Sequence, residues 1–305
     1  MKKVIKFFIP HGFLLAIRLI RARVIFLRTG GKKPRLAKLQ FEVHLTEHCN
    51  LKCAGCGPFS ALAEEEYAKT SVFENDLRRI NNLTNGDVRS IRILGGEPLL
   101  NKDINEFMEI SRRYFKDTFI CIITNVILLD KMDASFWKTA HKNNIWISIS
   151  PYPIKLNINL IRQLSNKYGV PCGYVTDRAI VDFAGLGASS SRKMNMFRWA
   201  IDVKGKQNYK LNFSACWVSN ECITLRNGKL YSCGIFPFIE HFNKQFGTKL
   251  EVTERDYIDI YKAKNIDEIL DFMATPIPFC RHCNLKKVTY GHEWRVTKKE
   301  ISEWT

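Results

Sequence analysis

The chain has 305 residues, of which 46% are hydrophobic and 12% aromatic. This composition excludes a disordered chain, and the length allows one large α/β domain plus a smaller one. The 47 Lys and Arg residues outnumber the 30 Asp and Glu residues, and the formal net charge of +17 indicates either an anionic partner or a solvated basic surface. The ten cysteines stand in short-spaced groups, which favours metal sites over a disulfide framework.

Residues 1–38 form a basic N-terminal segment. It contains no window of about 18 apolar residues free of charge, which excludes a membrane span, and it lacks the cleavage site of a signal peptide. From Phe13 to Leu27 the pattern predicts a basic helix with a broad apolar face, suited to peripheral contact with an anionic membrane. Packing of this helix against the rest of the protein is the alternative.

Strand and helix patterns alternate from Leu39 onward. Strands are predicted in LQFEVHLTEH, SIRILGGEP, TFICIITN, IWISISPYP and VPCGYVTD, and helices in SVFENDLRRINNLT, KDINEFMEISRRYF, DASFWKTAHKNN and NINLIRQLSNKYG. Ser71 and Glu74 are placed as a capping box at the start of the first of these helices. The alternation predicts an α/β fold with parallel strands over residues 39–207, as a partial barrel or an open doubly wound sheet.

The pattern loosens after about residue 178. The stretch FAGLGASSSRKMNM is rich in small residues and predicts a long loop. Two short strands around Asn227-Gly228 predict a hairpin with a type I′ turn. Helices are predicted beyond it in FPFIEHFNKQF and NIDEILDFMAT.

Three cysteines, Cys49, Cys53 and Cys56, follow the first predicted strand, where folds of this class place their active sites. Three thiolates leave a structural zinc ion one ligand short. A four-iron cluster fits better, because its fourth iron remains open to bind another group.

The spacing Cys49-x3-Cys53-x2-Cys56 resembles the defining motif of the radical SAM superfamily, whose fold is a partial (β/α)6-type barrel. The resemblance implies a [4Fe–4S] cluster that binds S-adenosylmethionine and splits it, with one electron, to a 5′-deoxyadenosyl radical. The residue before the last cysteine is usually aromatic in the family and is Gly55 here, so the adenine contact departs from the pattern. The implied cofactor-binding residues are Gly95, Gly96, Glu97 and Pro98 for the amino group, and Asn125 with Ser148 or Ser150 for the ribose and carboxylate.

A second cysteine group lies toward the C-terminus. Cys216 and Cys233 resemble the opening of the SPASM/twitch auxiliary domains, in which Cys280 and Cys283 would complete four ligands. The resemblance implies a second [4Fe–4S] cluster in a small twitch-like α+β domain over residues 208–290, followed by a tail over residues 291–305. A zinc ribbon made from the same four thiols is the alternative.

Cys222 is the cysteine of this region outside the set of four. As an unligated thiol it could return a hydrogen atom to a substrate radical, as radical SAM epimerases require, or it could be an ordinary small buried residue. Cys172 in the fifth strand is a weaker candidate for the same role. Cys121 in the third strand is predicted to belong to the core.

Polar and apolar residues alternate along the predicted strands. The polar face, which would line the cavity of the barrel, carries Glu42, His44, Arg92, Ser148 and Ser150. We expect Glu42 or His44 to take a hydroxyl proton as catalytic base and Arg92 to hold an anionic group of the substrate. A buried histidine or ion pair without a catalytic role is the alternative for each.

The resemblance predicts hydrogen abstraction from a polar small molecule such as a sugar, aminocyclitol or glycan precursor, ending in dehydrogenation or epimerisation. A peptide-modifying maturase is the main alternative, although only 38 residues precede the first strand, and an RNA-modifying enzyme is a further one. The basic residues lack interleaved aromatic platforms, so no nucleic-acid partner is expected. Iron–sulfur chemistry predicts a reducing cytoplasmic setting and a reductant of the flavodoxin or ferredoxin type. The basic N-terminal helix separately predicts peripheral association with a membrane.

Overall fold

The computed structural model describes residues 11–150, 152–176, 179–181 and 195–305. Its helices are α1 (His11–Thr29), α2 (Thr70–Thr84), α3 (Ile104–Tyr114), α4 (Ala134–Lys142), α5 (Ile158–Tyr168), α6 (Tyr209–Ala215), α7 (Ile239–Phe246) and α8 (Ile266–Met273). Its strands are β1 (Leu39–His44), β2 (Val88–Leu94), β3 (Phe119–Thr124), β4 (Ile145–Ile149), β5 (Cys172–Thr176), β6 (Ala179–Val181), β7 (Asn195–Arg198), β8 (Thr224–Arg226), β9 (Lys229–Tyr231), β10 (Tyr257–Asp259) and β11 (Thr289–Glu293). Most of the predicted loop FAGLGASSSRKMNM lies outside the described residues.

Nine of the strands in the described ranges form one sheet, in the order β10-β9-β8-β1-β2-β3-β4-β5-β6. Strands β1 to β5 pair with one another in parallel, and β8 joins β1 in parallel on the other side. Antiparallel partners extend the sheet at each end, β6 beside β5 and β9–β10 beside β8. The predicted α/β fold with a mainly parallel sheet is therefore confirmed.

The predicted alternation along the strands is also present. Ile91, Ile93, Ile145 and Ile147 are fully buried in the main core, which is shared with the covering helices. Arg92 lies between the first two and Trp146 between the last two. Because neighbouring side chains on a strand point to opposite faces, the sheet has one apolar face under the helices and an opposite face that carries Arg92, which we call the polar face.

The predicted capping box at the start of α2 is wrong. The N-cap of α2 is Lys69, whose side chain makes no capping hydrogen bond, and Ser71 therefore lies inside the first turn. Glu74 turns instead toward α3, where its carboxylate pairs with Arg113 at 2.6 Å. An ion pair between two helices has replaced the local bond that the sequence pattern indicated.

The predicted turn at Asn227-Gly228 is observed, with positive φ values of 49° and 73°, as a type I′ turn requires at both central residues. The hairpin β8–β9 that it closes does not form a sheet of its own. It pairs directly with β1 through Glu42 and Val43, so the region of residues 208–290 continues the sheet of the preceding region. A second apolar core, which includes Phe213, packs behind this hairpin.

The predicted N-terminal helix is present as α1. Over the described residues, the length and apolar character that a membrane-crossing helix needs are not found in any helix. The chain after α1 is tied to the region of residues 208–290, because Lys33 N donates to Ala274 O at 2.9 Å and Ser214 Oγ donates to Gly31 O at 3.1 Å.

Candidate functional site

The loop after β1 carries the first cysteine group. Cys49 and Cys53 are buried, Cys56 is half-buried, and the three pack with a small apolar shell that includes Tyr152 and Trp294. Burial raises the pKa of Cys49 to about 12 and that of Cys56 to about 11, and the neighbouring thiols add to both shifts. Each thiol must therefore give up a proton to become a metal ligand, as thiolate ligands do.

The glycines of the second-strand motif allow the backbone of this loop to approach closely. A Cβ atom added to Gly95 would lie 2.6 Å from Thr46 O, and one added to Gly96 would overlap His48 O. Gly96 N donates to Thr46 O at 2.8 Å. The motif thus holds the cysteine loop against the end of β2, whereas sequence reasoning assigned its glycines to close approach by the cofactor.

Glu97 joins the ends of β2 and β3. Its carboxylate accepts hydrogen bonds from Thr124 Oγ1 at 2.6 Å and from the backbone N–H groups of Asn125 and Leu99 at 2.9 and 3.1 Å. Burial raises the pKa of Glu97 to about 7 despite these bonds. The neighbouring Pro98 begins a short 3-10 turn that closes the motif.

Asn125 reaches from the end of β3 to the cysteine loop. Its Nδ2 donates to Asn50 Oδ1 at 2.7 Å and contacts Cys49 Sγ at 3.6 Å. Ser150 N donates to Thr124 O at 2.9 Å, and Ser148 is buried on the polar face of β4. The residues expected to bind the cofactor therefore end three neighbouring strands beside the three thiols.

The C-terminal tail covers the cysteine loop, which the sequence did not indicate. Residues 52–54 form an antiparallel bridge with residues 295–297, through backbone hydrogen bonds of 3.0 and 2.8 Å. Trp294 Nε1 donates to Cys53 Sγ at 3.1 Å, and Trp304 Nε1 donates to Cys56 O at 2.9 Å. Hydrogen bonds to ligand sulfurs and exclusion of solvent are two ways in which proteins adjust iron–sulfur clusters.

The row of cross-strand partners Glu42, Arg92, Cys121 and Trp146 crosses the polar face from β1 to β4. Glu42 is 6% exposed, lies 3.8 Å from the Arg92 guanidinium and accepts a hydrogen bond from Thr224 Oγ1 at 3.2 Å. Burial raises the pKa of Glu42, so the carboxylate is better suited to accept a proton than an exposed one. Arg92 also donates to the backbone carbonyl of Glu221.

His44 has a different character from the one expected of a base. Its ring stacks on Phe238 with centroids 4.2 Å apart, and both ring nitrogens are buried and have no hydrogen-bond partner among the described residues. Burial lowers its pKa to about 3, so the ring is neutral at physiological pH and a weak proton acceptor. Of the two candidate bases, the structure favours Glu42.

The strand register places Cys121 and Cys172 on opposite faces of the sheet. Cys172 pairs with Ile147 and lies in the main core on the helix side of the sheet, away from the polar face. Cys121 pairs with Arg92 and Trp146, so it lies on the polar face and outside that core. Cys121 is 2% exposed and therefore buried, as predicted, but on the polar face. Cys172, the weaker candidate for hydrogen return, is buried on the opposite face. The face of each residue depends on a one-residue register that the apolar sequences of β3 and β5 leave open.

The four cysteines of the second group line one common cavity with aromatic walls. Cys216 ends α6, Cys233 follows β9, and Cys280 and Cys283 lie at a 3-10 turn. Asn212 Nδ2 donates to Cys280 O at 2.9 Å and also to Cys283 O, which fixes the turn. The fold thus brings together the four thiols that the sequence grouped.

Cys222 lies outside this cavity, toward the polar face. Burial raises the pKa of Cys222 to about 12. The charge of Glu42 adds to this rise, and the charge of Arg92 opposes it. Gly234, which follows Cys233, lies against Glu42, since an added Cβ would be 2.5 Å from Glu42 Oε1. The spare thiol and the second cysteine group therefore both border the polar row.

A further group of potential metal ligands lies outside the two cysteine groups. Across the described residues, the one set of three ligand atoms that lie within 4.8 Å of one another is Glu47, Glu240 and His241, where Arg226 already pairs with both carboxylates at 2.6 Å. Arg226 thus already supplies a positive charge to these carboxylates.

Lys33 places a cation beside the second cysteine group. Its ammonium donates to the carbonyl oxygens of Cys216 and Ser219 and to the Ser219 hydroxyl. Burial lowers the pKa of Lys33, while the cysteines and Glu221 oppose that shift. This residue belongs to the segment after α1, and no pattern in the sequence indicated its position.

Residues 43–151 match the sequence model of the Radical SAM superfamily. The matched range contains the first cysteine group, the residues 95–98, Asn125 and the fourth strand. This part of the chain is accordingly a radical SAM domain, as the cysteine spacing predicted.

Among curated proteins, the chain is similar to the GTP 3′,8-cyclase of Helicobacter pylori strain HPAG1, with 34% identity over 90 residues, which cover 30% of this chain and 28% of the relative. It is 26% identical to the GTP 3′,8-cyclase of Desulforamulus reducens over 174 residues, 47% of this chain and 50% of the relative. The chain therefore spans half or less of the length of these relatives.

The solved structures that show partial similarity include the following two. One is BtrN in complex with AdoMet and 2-DOIA, with 16% identity, a TM-score of 0.48, and coverage of 85% of this chain and 98% of BtrN. The other is SuiB of Streptococcus suis bound to S-adenosylmethionine, with 22% identity, a TM-score of 0.37, and coverage of 54% of this chain and 40% of SuiB.

Proposed function

We propose that the radical SAM domain of this chain cleaves S-adenosylmethionine reductively and directs the resulting radical to a polar small molecule, a sugar, aminocyclitol or glycan precursor. The observation that carries the proposal is the pair of Glu42 and Arg92 on the polar face, 3.8 Å apart, with the Cys222 thiol beside them. A carboxylate, a guanidinium and a thiol on one face suit a hydroxylated substrate better than an apolar one.

The residues available for metal binding are Cys49, Cys53 and Cys56 in the first group and four cysteines in the second, Cys216, Cys233, Cys280 and Cys283. When bound, [4Fe–4S] clusters at these two places would supply the electron that splits S-adenosylmethionine and an acceptor for the electron that a dehydrogenation releases. Asn125 and the backbone at the ends of β2 and β3 would hold the cofactor beside the first group.

Glu42 and Arg92 would handle the substrate. After a hydrogen atom leaves the carbinol carbon for the 5′-deoxyadenosyl radical, Glu42 would take the hydroxyl proton, which its raised pKa favours. Arg92 would orient a substrate oxygen. Loss of one further electron, to an acceptor held by the second cysteine group, would give a ketone. If the hydroxyl proton instead stays on the substrate, transfer of a hydrogen atom from Cys222 to the opposite face of the carbon would give the epimer. The thiyl radical left on Cys222 would then need one electron from the external reductant and one proton to become the thiol again.

Anaerobic reconstitution tests the proposal. We expect about eight irons per chain, as two [4Fe–4S] clusters require, and formation of 5′-deoxyadenosine with dithionite and S-adenosylmethionine. Deuterated sugars and aminocyclitols would then transfer label into 5′-deoxyadenosine. A triple Cys49, Cys53 and Cys56 to Ala variant should keep about half of the iron and lose cleavage.

Other results would change the proposal in defined ways. Absence of cleavage by a fully loaded protein would contradict the radical chemistry. About four irons with stoichiometric zinc would keep that chemistry and assign a zinc ribbon to the second group. Label transfer from a peptide or an RNA, with none from any carbohydrate, would replace the proposed substrate class.

A further inference from the structure

Helix α1 has two opposite faces. Ala22 is 1% exposed and packs on the body of the protein, where α1 lies along α6. The apolar residues Ile17, Ile20, Val24 and Leu27 are 46%, 61%, 43% and 80% exposed. At 100° per residue these four fall within a stripe about 80° wide, centred roughly opposite to Ala22. The helix therefore presents an apolar stripe to solvent, directed away from the body.

Cations border this stripe on both sides. Arg21, Arg23 and Arg28 are exposed; on the helical wheel Arg21 and Arg28 lie on one side of the stripe and Arg23 on the other. The sequence of α1, HGFLLAIRLIRARVIFLRT, contains no Asp or Glu. An apolar stripe between arginines on a helix with no acidic residue is the arrangement that lies in the interface of an anionic bilayer.

We propose that α1 docks this protein on an anionic phospholipid surface, with the stripe of Ile17, Ile20, Val24 and Leu27 in the interface and the flanking arginines at the headgroup phosphates. Charge favours this occupant over a second copy of the chain, because two such helices would bring only cations together. The inference concerns a surface outside the proposed active site and does not rest on the proposed function.

The connection of α1 to the body means that docking of the helix would set the orientation of the whole protein. The chain after the helix is held by the bond from Lys33 N to Ala274 O and by the bond from Ser214 Oγ to Gly31 O. A helix fixed in this way would orient the rest of the protein on the membrane. An independent flexible tether would leave the body free to rotate.

Co-sedimentation of the full chain with vesicles tests the proposal. We expect binding to vesicles of phosphatidylcholine and phosphatidylglycerol in equal parts, and at least tenfold weaker binding to pure phosphatidylcholine. The double variant Ile20→Glu and Leu27→Glu should lose at least tenfold in affinity for the mixed vesicles, because both side chains are exposed and available for insertion. Val203→Glu, at a 37% exposed apolar position on the body, is the matched control and should bind like the wild type.

A second variant tests the electrostatic part. Arg21→Gln with Arg28→Gln should reduce the preference for the anionic vesicles and leave the melting temperature unchanged. Equal binding by the wild type and the Ile20→Glu, Leu27→Glu variant would overturn the proposal, as would absence of wild-type binding to the mixed vesicles. A wild-type dimer in solution that the same double variant dissociates would overturn it as well, since the stripe would then join two copies.

Discussion

Replacement of Lys33 by Met should lower the reduction potential of a cluster held by the second cysteine group. The Lys33 ammonium is bonded to the carbonyl oxygen of Cys216 and to Ser219, and its charge acts on Cys216, Cys280 and Cys233. Reduction adds one negative charge to the cluster. A nearby cation stabilises that charge, and an uncharged side chain of similar length does not.

The size of the effect follows from Coulomb's law. Two unit charges about 6 to 8 Å apart interact by roughly 2–3 kcal/mol at an effective dielectric constant of about 20. For a one-electron couple, in which a tenfold change in the equilibrium constant is about 59 mV, this corresponds to a shift of roughly 100 mV. Burial of Lys33 keeps the interaction from being fully screened by salt.

A redox titration followed by electron paramagnetic resonance would measure the shift. The triple Ala variant of Cys49, Cys53 and Cys56 would serve as background, so that the signal comes from the second group alone. Lys32→Met is the control, because Lys32 is the preceding residue and is exposed. A potential that is the same in the Lys33→Met and Lys32→Met proteins would refute the electrostatic argument.

Three further predictions concern the cysteine groups and the motif at β2. Cys222→Ser should retain the full iron content in an iron analysis, because Cys222 lies outside the cavity of the second group. Cys233→Ser should lose about half of the iron. Equal losses in the two variants would make Cys222 a ligand. Gly96→Ala should lower the free energy of unfolding in urea by about 3 kcal/mol or more, because its Cβ would overlap a backbone carbonyl. Gly57→Ala is the control: the nearest atom to its Cβ is 3.8 Å away, and the free energy of unfolding should change by about 0.5 kcal/mol or less. The pKa of Glu97 rises from 4.5 to about 7 on folding, so the folded state keeps a proton that the unfolded state loses. The free energy of unfolding should therefore fall by up to about 3 kcal/mol as the pH rises from about 4.5 to 7. A Glu97→Gln variant whose free energy of unfolding falls equally steeply over that range would contradict this assignment.

The features that could be predicted from the sequence depend on local pattern. The spacing of Cys49, Cys53 and Cys56 marks the radical SAM domain, and the strand alternation predicts that Glu42 and Arg92 share a face. The turn at Asn227-Gly228 requires positive φ at two adjacent residues, which Asn and Gly accept more readily than other residues. In each case the sequence pattern on which the prediction depends lies within a few consecutive residues.

The features that escaped prediction depend on contacts between distant parts of the chain. Trp294 reaches Cys53 across 241 residues, and Lys33 reaches Ser219 across 186. Neither residue stands in a motif, and a tryptophan in a C-terminal tail or a lysine in a basic segment is ordinarily interpreted as surface. Cys121 and Cys172 show a related difficulty, since both occupy apolar strands in which a shift of one residue reverses the faces.

The position of the β8–β9 hairpin connects the two cysteine groups. Treated as an independent auxiliary domain, the second group could lie at any distance from the barrel. Because β8 pairs in parallel with β1, the chain beyond the hairpin brings Gly234 against Glu42. Cys233 is the residue before this contact, so the second group is held next to the polar row by strand pairing. A substitution at Gly234 should therefore disturb Glu42 and the second cysteine group together, even though these two features lie in separate parts of the sequence.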